Sequence, residues 1–532
     1  MNERRTPTPA TAGSGQAPPG PITALLARTR ATPDRAALIV DDRVWTYGQV
    51  VELSRRLATG LSARGVGPGD RVCLHLHNRL ETALSYLACL RLGAIAVPLN
   101  ARLTPPELLD LVQRTRPIAY IGESALYPRF APTPEDLVSG DARFLIEEST
   151  WVDLLEVDLL VADDPDGDPT SGAVAGVPES PAILLSTSGT TSRPKIVAWS
   201  HRTLANLHLS ADGRGIVDGA VLPLITPLMH GAAVYFLINA LTQGGVALLV
   251  RRFDPAEVLE AMHRHRATTL FGLPFMCDAL VQEQRRRPRD IDTLRSAVVA
   301  GDVCPVEVEL GFQHTFGIPL RSFWAAAEDV GCTVAGSGTG PFMRVIDEAS
   351  VRIQDAEGRA VHGDEPGELV VSSPTTSPGY WDDDGHITPF PKSVFHSGDL
   401  VREVSPGLLR FVGRRNDLII RGGSNISPTE VEDALRTEPE VADAAVAGLP
   451  DERLGQRVGA VLVLISGPHP DDVVRRVIAS VSNRLAGYKV PECVAVVDSV
   501  PRNALTKIDR AAVVAKLSSS DTQKHATEPD QH

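Results

Sequence analysis

Residues 186–195 are rich in hydroxyl side chains and read Ser-Thr-Ser-Gly-Thr-Thr-Ser-Arg-Pro-Lys. They follow the apolar run 183–185, which is typical of a buried strand. Hydroxyl groups and backbone N–H groups in a tight turn can surround an anion, and Arg193 and Lys195 add positive charge. The segment is not a Walker A sequence, of which the chain has none. We therefore predict a phosphate-binding loop that contains Ser186, Thr187, Ser188, Gly189, Thr190, Thr191 and Lys195.

Five later segments also carry side chains suited to nucleotide chemistry, namely 226–231, 324–328, 395–399, 420–430 and 500–510. With the hydroxyl-rich segment they form an ordered series that resembles the adenylate-forming superfamily. That superfamily comprises acyl- and aryl-CoA synthetases, luciferases and peptide-synthetase adenylation domains, and acyl-CoA ligases look most similar. The resemblance implies an AMP-forming ligase that uses ATP and Mg²⁺ to adenylate a small fatty or aromatic acid. It further implies transfer of the acyl group to coenzyme A as co-substrate.

The resemblance assigns catalysis to Lys507 and His230. Lys507, in the segment 500–510, would be the mobile lysine that bridges the acid and the α-phosphate. His230 would lie beside the acyl pocket, with a histidine of the core as the simpler alternative. Residues 231–237 are neutral and mainly apolar, whereas amino-acid-activating relatives tend to place an aspartate there. An α-amino acid is therefore a disfavoured substrate.

Four residues are assigned by the resemblance to the nucleotide and its metal ion. Trp324 would stack near the adenine, Asp399 would accept hydrogen bonds from both ribose hydroxyls, and Arg414 would lie near the ribose and phosphates. Glu328 would ligate Mg²⁺, a cation that prefers oxygen ligands and retains several waters.

The resemblance also implies a rotating C-terminal domain. Asp417 corresponds to the hinge about which that domain turns between the two half-reactions. Gly422 and Gly423 would then form the loop that enters the site for thioester formation, where the lack of a side chain leaves room for pantetheine.

Five positions depart from the superfamily's usual residues. Ala325 and Ala327 stand in place of a glycine and a phosphate-binding threonine, Ser192 and Thr506 stand in place of glycines, and Asp302 is an unusual aspartate.

These departures leave three functions open. The first is an acyl- or aryl-CoA ligase. The second is an adenylating enzyme with another acceptor, either a carrier-protein thiol or, as in diazotases that activate nitrite, an aryl amine. The third is a non-catalytic nucleotide-binding homologue, which the retention of Asp399, Arg414 and Lys507 argues against.

Alternating strand and helix patterns predict an α/β fold with largely parallel sheets. Examples are strand 71–76, helix 81–92 and strand 94–99, and later strand 181–186 followed by helix 202–209. After about residue 412 the pattern changes to that of a small, mobile α+β domain. We predict disordered tails at 1–20 and 517–532, a large N-terminal domain at 21–412, a hinge approach at 413–416 and a C-terminal domain at 417–516.

Composition excludes several classes of protein. The 532 residues are 43% hydrophobic and carry a net charge of −14 without a basic stripe, which argues against nucleic acid as a partner. The six cysteines lack the spacing of a metal site, and no apolar run could span a membrane. The N-terminal residues lack the apolar core of a signal peptide, so we expect none. We expect a cytoplasmic enzyme whose partners are a small acid and, in the second function, a carrier protein.

Overall fold

The computed structural model describes residues 18–131, 133, 137–147, 178–187, 194–301, 303–330, 334–336, 342–346, 350–363, 365–421, 424–451, 454–465, 470–503 and 507–519. Its α-helices within these ranges are α1 Pro21–Ala31, α2 Tyr47–Ala63, α3 Leu80–Leu92, α4 Pro105–Thr115, α5 Tyr127–Phe130, α6 His201–Ala205, α7 Gly231–Gln243, α8 Pro255–Arg264, α9 Pro274–Arg286, α10 Val306–Phe316, α11 Pro428–Arg436, α12 Pro470–Ser482 and α13 Arg510–Ser519.

The strands of the first half are β1 Ala36–Val40, β2 Arg43–Thr46, β3 Arg71–His75, β4 Ile95–Pro98, β5 Ala119–Gly122, β6 Arg143–Leu145, β7 Pro181–Thr187, β8 Lys195–Ser200, β9 Val221–Leu224 and β10 Val246–Leu249. Those of the second half are β11 Thr269–Gly272, β12 Ser296–Val299, β13 Leu320–Ser322, β14 Val334–Gly336, β15 Phe342–Val345, β16 Val351–Gln354, β17 Gly367–Val371, β18 Gly379–Trp381, β19 Ile387–Pro389, β20 Phe395–Ser405, β21 Leu408–Arg414, β22 Ile419–Arg421, β23 Ser424–Ile426, β24 Val441–Asp451, β25 Gly455–Leu464 and β26 Cys493–Val496.

Two large sheets follow from the alternating pattern. One has the order β19-β18-β8-β7-β4-β3-β5-β6 and the other β13-β12-β11-β9-β10-β1-β2. The first sheet is parallel along β7-β4-β3-β5-β6. The second sheet is parallel along β13-β12-β11-β9-β10-β1. Antiparallel strands extend each sheet at one edge, through β8, β18 and β19 in the first and β2 in the second.

The main apolar core joins these two sheets through helices α2, α3 and α7. Leu57 of α2, Leu87 of α3 and Phe236 of α7 pack in one cluster with Val72 of the first sheet and Leu222 of the second. Helix α7 is apolar nearly all round, and its residues 233–241 are buried, as expected for a helix enclosed by other elements. This burial fixes the start of α7 against the first sheet.

Two smaller sheets complete the molecule. The antiparallel sheet β14-β15-β21-β20-β17-β16 leads into a five-stranded sheet, ordered β23-β22-β25-β24 with β26 paired in parallel to β25. Helices α11 and α12 cover one face of the latter and α13 covers the other, with Val477 and Val513 in the respective cores. The predicted α/β class, with a large multi-sheet N-terminal part and a small C-terminal α+β part, is confirmed.

Two details of the prediction are wrong. The helix expected at 202–209 ends at Ala205, because the chain then tightens into a 3₁₀ helix at Leu207–Ser210. The C-terminal tail does not begin at residue 517, because α13 continues to Ser519 and Leu517 is only 1% exposed. No helix among the described residues combines the length and apolarity that a bilayer span requires.

Candidate active site

The segment 324–330 carries Glu328 and is held by hydrogen bonds from three directions. Trp199 of β8 donates its indole N–H to the carbonyl of Ala327 at 2.7 Å, and the Ser377 N–H donates to the carbonyl of Glu328 at 2.8 Å. Asp329 is fully buried and accepts from the hydroxyls of the nearby segment 373–376, including Thr376 at 2.6 Å. Backbone and buried side-chain bonds thus fix this loop despite its unusual alanines.

The Glu328 carboxylate lies close to Lys195, with a tyrosine between them. The Tyr380 hydroxyl donates to Glu328 Oε1 at 2.9 Å, and Lys195 Nζ lies 3.5 Å from the same hydroxyl oxygen. Burial, and then the Glu328 charge, raise the pKa of Tyr380, so its hydroxyl stays protonated at neutral pH. The motif series did not include Tyr380, because its relevance arises from pairing of β18 with β8.

Glu328 fits the role of a magnesium ligand. Oε1 receives the Tyr380 hydroxyl, while Oε2 has no hydrogen-bond partner within the described part of the chain. The described residues also contain no group of three or more His, Cys, Asp or Glu side chains that could bind a metal on their own. One carboxylate with an available oxygen suits Mg²⁺, which takes few protein ligands and otherwise binds phosphates and water.

Asp399 brings together the other residues that the motifs assign to the nucleotide. Trp324 donates its indole N–H to Oδ2 at 2.7 Å, and Arg414 donates Nε–H to Oδ1 at 3.0 Å. Asp399 is 6% exposed, and each carboxylate oxygen retains a lone pair for a further donor. Trp324, Asp399 and Arg414 therefore form one connected group.

A buried glutamate supports the turn that presents Asp399. Glu368 of β17 accepts from the Gly398 N–H at 2.9 Å and from His396 Nδ1 at 3.1 Å. It also accepts from the Arg415 guanidinium at 2.6 Å. Sequence reasoning missed Glu368, although a glutamate at the start of an otherwise apolar strand is a detectable signal.

His230 immediately precedes α7 and lies at its N-terminal end. Gly231 allows the start of α7 to pack closely against Trp199 of β8, because a Cβ at Gly231 would lie 2.8 Å from the Trp199 ring. Burial, and then the positive charges of Arg102 and Lys507, lower the pKa of His230 to about 4. The imidazole is therefore neutral at pH 7, and Lys507 lies close enough to act on it electrostatically.

Lys507 lies in the C-terminal part of the chain, where its backbone bonds to Asn503. Its carbonyl accepts from the Asn503 N–H at 2.8 Å, and its own N–H donates to Asn503 Oδ1 at 3.2 Å. Three residues later, Arg510 lies 3.5 Å from Asp417, the predicted hinge residue, and 2.6 Å from Glu432. These ion pairs tie the start of α13 to the predicted hinge residue.

The phosphate-binding prediction is only partly within the described residues. Ser186 and Thr187 end β7 opposite Ile196 and Lys195 of β8, so they lie at the open end of this strand pair. Ser188, Gly189, Thr190, Thr191, Gly422 and Gly423 lie outside the described residues.

The sequence matches two family models along most of its length. The model described as AMP-binding enzyme covers residues 25–381, and AMP-binding enzyme C-terminal domain covers residues 430–507. Feruloyl-CoA synthase from an Amycolatopsis species is 32% identical over 514 residues, which cover 91% of this chain and 96% of the relative. Indoleacetate–CoA ligase from Aromatoleum aromaticum is 29% identical, with 90% and 94% covered.

Solved structures show the same architecture. The o-succinylbenzoate CoA synthetase from Bacillus subtilis in complex with its acyl-adenylate has a TM-score of 0.77 at 26% identity, covering 92% of this chain and 97% of that one. The same enzyme with ATP and magnesium ion has a TM-score of 0.76 at 26% identity, covering 92% and 98%. These matches confirm the superfamily that the ordered motifs indicated. The chain belongs to the AMP-binding enzyme family and is an AMP-forming ligase similar to acyl- and aryl-CoA synthetases.

Proposed function

We propose that the chain uses ATP and Mg²⁺ to adenylate a small aromatic acid and then transfers the acyl group to coenzyme A. The observation that carries this proposal is the pair of hydrogen-bonded groups in the site, Glu328–Tyr380–Lys195 and Trp324–Asp399–Arg414. Lys507 would act in the first half-reaction, because attack of a carboxylate on the α-phosphorus is opposed by charge repulsion. Its ammonium would offset charge shared by the two reactants.

The nucleotide would be held at two ends by the groups described above. At the ribose, Asp399 would accept the hydroxyl protons through its remaining lone pairs, while Trp324 and Arg414 keep the carboxylate in place. At the other end, Lys195 and the hydroxyls of Ser186 and Thr187 would contact the β- and γ-phosphates.

Negative charge develops on the pyrophosphate as it leaves. Glu328 would hold Mg²⁺, which would supply positive charge to offset part of it. The fixed backbone of the 324–330 loop keeps Glu328 in position without reorganisation during the reaction.

The surroundings of His230 favour an acid with an uncharged body. Residues 231–241 of α7 carry no charged side chain, and His230 itself is neutral at pH 7. An ammonium group on the substrate would find no carboxylate on this helix. The relatives named for ferulate and indoleacetate activation support an aromatic acid over a fatty acid.

Coenzyme A is the proposed acceptor because the named relatives are CoA ligases. A carrier-protein thiol and an aryl amine are the competing acceptors. The cytoplasm is the proposed site of action, since Cys73, Cys89, Cys277, Cys304 and Cys493 are free and buried, as in proteins of a reducing compartment.

A substrate screen tests the proposal. Pyrophosphate release would be measured with hydroxycinnamic, arylacetic, benzoic and fatty acids and with nitrite, each with and without coenzyme A. Mass spectrometry would identify the products. We expect an aryl-CoA thioester, AMP and pyrophosphate in equal amounts. An adenylate that forms with every acid but never consumes coenzyme A would contradict the proposed acceptor, and preference for fatty acids or nitrite would contradict the substrate class.

A further inference from the structure

Tyr380 lies between the two charged groups at the phosphate end of the site. It is the middle residue of β18, which pairs antiparallel with β8 so that Tyr380 is opposite Val197. Lys195 is two residues from Val197 and therefore lies on the same face of the sheet, as a diagonal neighbour of Tyr380. Strand pairing alone places the two side chains together.

The Tyr380 side chain contacts both charged groups at once. Its hydroxyl donates to Glu328 Oε1 at 2.9 Å and lies 3.5 Å from Lys195 Nζ, which is positioned to donate to the hydroxyl oxygen. Lys195 Nζ also lies 4.7 Å from the centroid of the tyrosine ring, a cation–π distance. One phenol thus connects the candidate metal ligand to the phosphate-binding lysine.

The position of Tyr380 is itself fixed. Its ring packs edge-on against Phe390 with centroids 5.0 Å apart. The preceding Gly379 fits tightly against β19, since a Cβ there would lie 2.1 Å from the Thr388 carbonyl oxygen. Just before it, Ser377 donates its hydroxyl to the Ala198 carbonyl of β8 at 2.6 Å and its N–H to the Glu328 carbonyl. The same short segment therefore anchors both the backbone and the side chain of Glu328.

We propose that Tyr380 is a positioning residue that holds Glu328 and Lys195 at a fixed separation for joint binding of Mg²⁺ and the ATP phosphates. This rests on the proposed role of Glu328. By occupying one oxygen of Glu328, the hydroxyl directs the other oxygen to the metal. By accepting from Lys195, it keeps the ammonium from forming a direct ion pair with Glu328, which would block the metal site.

Tyr380→Phe tests the proposal because it removes the hydroxyl and keeps the ring. Calorimetry would measure binding of a non-hydrolysable ATP analogue as Mg²⁺ is varied, and initial rates would be measured in parallel. We expect the Mg²⁺ concentration for half-maximal analogue binding to rise about tenfold, the change expected for loss of one hydrogen bond to a charged group. At saturating Mg²⁺, the KM for the acid and kcat should change less than about threefold.

Tyr47→Phe is the matched control, because it removes a buried hydroxyl that bonds the Gly245 carbonyl at 2.8 Å far from the site. It should leave the Mg²⁺ dependence unchanged. In a double-mutant cycle, Tyr380→Phe should add less than its single effect to Glu328→Gln, because both act through the same carboxylate.

The outcomes separate this inference from the function on which it rests. If Glu328→Gln shifts the Mg²⁺ dependence but Tyr380→Phe does not, or if the two effects are additive, Tyr380 is not a positioning residue. If Glu328→Gln also has no effect on analogue binding, the metal assignment itself is wrong. Should Tyr380→Phe melt well below the wild type, Phe390→Leu, which disturbs the packing and keeps the hydroxyl, decides whether packing alone accounts for the Mg²⁺ effect.

Discussion

At the residue scale, Lys507 supports the most direct prediction. Lys507→Ala removes the ammonium that would offset charge between the acid and the α-phosphate. Adenylate formation should therefore slow by about 10²-fold or more. Thiolysis of a chemically supplied acyl-adenylate should stay near the wild-type rate, because that step would follow withdrawal of the lysine. Rapid-quench assays of the separate steps provide the measurement.

A neighbouring lysine controls for general loss of charge. Lys516→Ala changes the same small module on α13 and should leave both half-reactions unaffected. Near-normal pyrophosphate release by Lys507→Ala would remove the assignment.

Motifs predicted most of the residues that the structure brings together. Trp324, Asp399 and Arg414 could be named from local patterns, and they are joined by two hydrogen bonds. Tyr380 and Glu368 could not be assigned in this way. Tyr380 meets Lys195 across 185 residues of chain, and that contact exists only because β18 pairs with β8.

At the scale of elements, the packing of α7 against β8 links the acid side of the site to the metal side. Gly231→Ala would place a methyl group 2.8 Å from the rigid Trp199 ring, whose indole holds the Ala327 carbonyl. The variant should lose about 1–3 kcal/mol of unfolding free energy, a typical cost of overpacking. It should also raise both the KM for the acid and the Mg²⁺ requirement.

Gly311→Ala is the matched control, because the same change of glycine to alanine is expected there to raise stability. It lies within α10, and its new Cβ would have no atom closer than 3.6 Å. It should raise the unfolding free energy by up to about 1 kcal/mol, because alanine favours a helix. Equal melting temperatures for Gly231→Ala and the wild type would show that the Trp199 contact is not tight.

Gly423, which the resemblance assigns to the segment that enters the site for thioester formation, supports a separate prediction about the acceptor. Gly423→Leu should block thioester formation and spare adenylate formation, because a bulky side chain would occupy the proposed path of the pantetheine. The two products would be quantified separately by mass spectrometry. Loss of adenylate formation in this variant would contradict a role confined to the second half-reaction.

Elements with a single clear periodicity were the most predictable from sequence. Strand 71–76 and helix 81–92 were located to within one residue of their observed bounds. The antiparallel sheet β14-β15-β21-β20-β17-β16 was not anticipated, because its pairings β15–β21 and β17–β20 join strands that are distant along the chain. Helix α6 was overestimated because its apolar pattern continues into the 3₁₀ helix at Leu207–Ser210.

At the scale of the whole molecule, His230 can report the arrangement of the two parts. Its pKa is about 4, lowered first by burial and then by the charges of Arg102 and Lys507. Removal of a nearby positive charge favours protonation. Lys507→Ala should therefore raise the pKa of His230, although burial keeps it below 6.5. NMR titration of histidine-labelled protein would measure this shift.

The same titration can test the rotation of the C-terminal domain that the resemblance implies. Conditions that withdraw Lys507 should raise the pKa of His230 in the wild type but not in Lys507→Ala. Folded His230 also resists protonation relative to the unfolded chain. Its contribution to stability is therefore complete above pH 6.5 and is lost as the pH falls towards 4. A His230 pKa that is identical in both proteins would contradict the proximity of the lysine.

The ion pairs of Arg510 have a consequence for how such enzymes can be recombined. Arg510 begins α13 and contacts Asp417, the predicted start of the C-terminal domain. The first and last segments of the predicted C-terminal domain are therefore neighbours. A domain whose two ends are adjacent can be exchanged between proteins without disturbing the rest of the chain. Residues 417–519 could therefore be exchanged as one segment that carries both Lys507 and the Arg510–Asp417 ion pair. The acid specificity of the N-terminal part could then change while this segment stays the same.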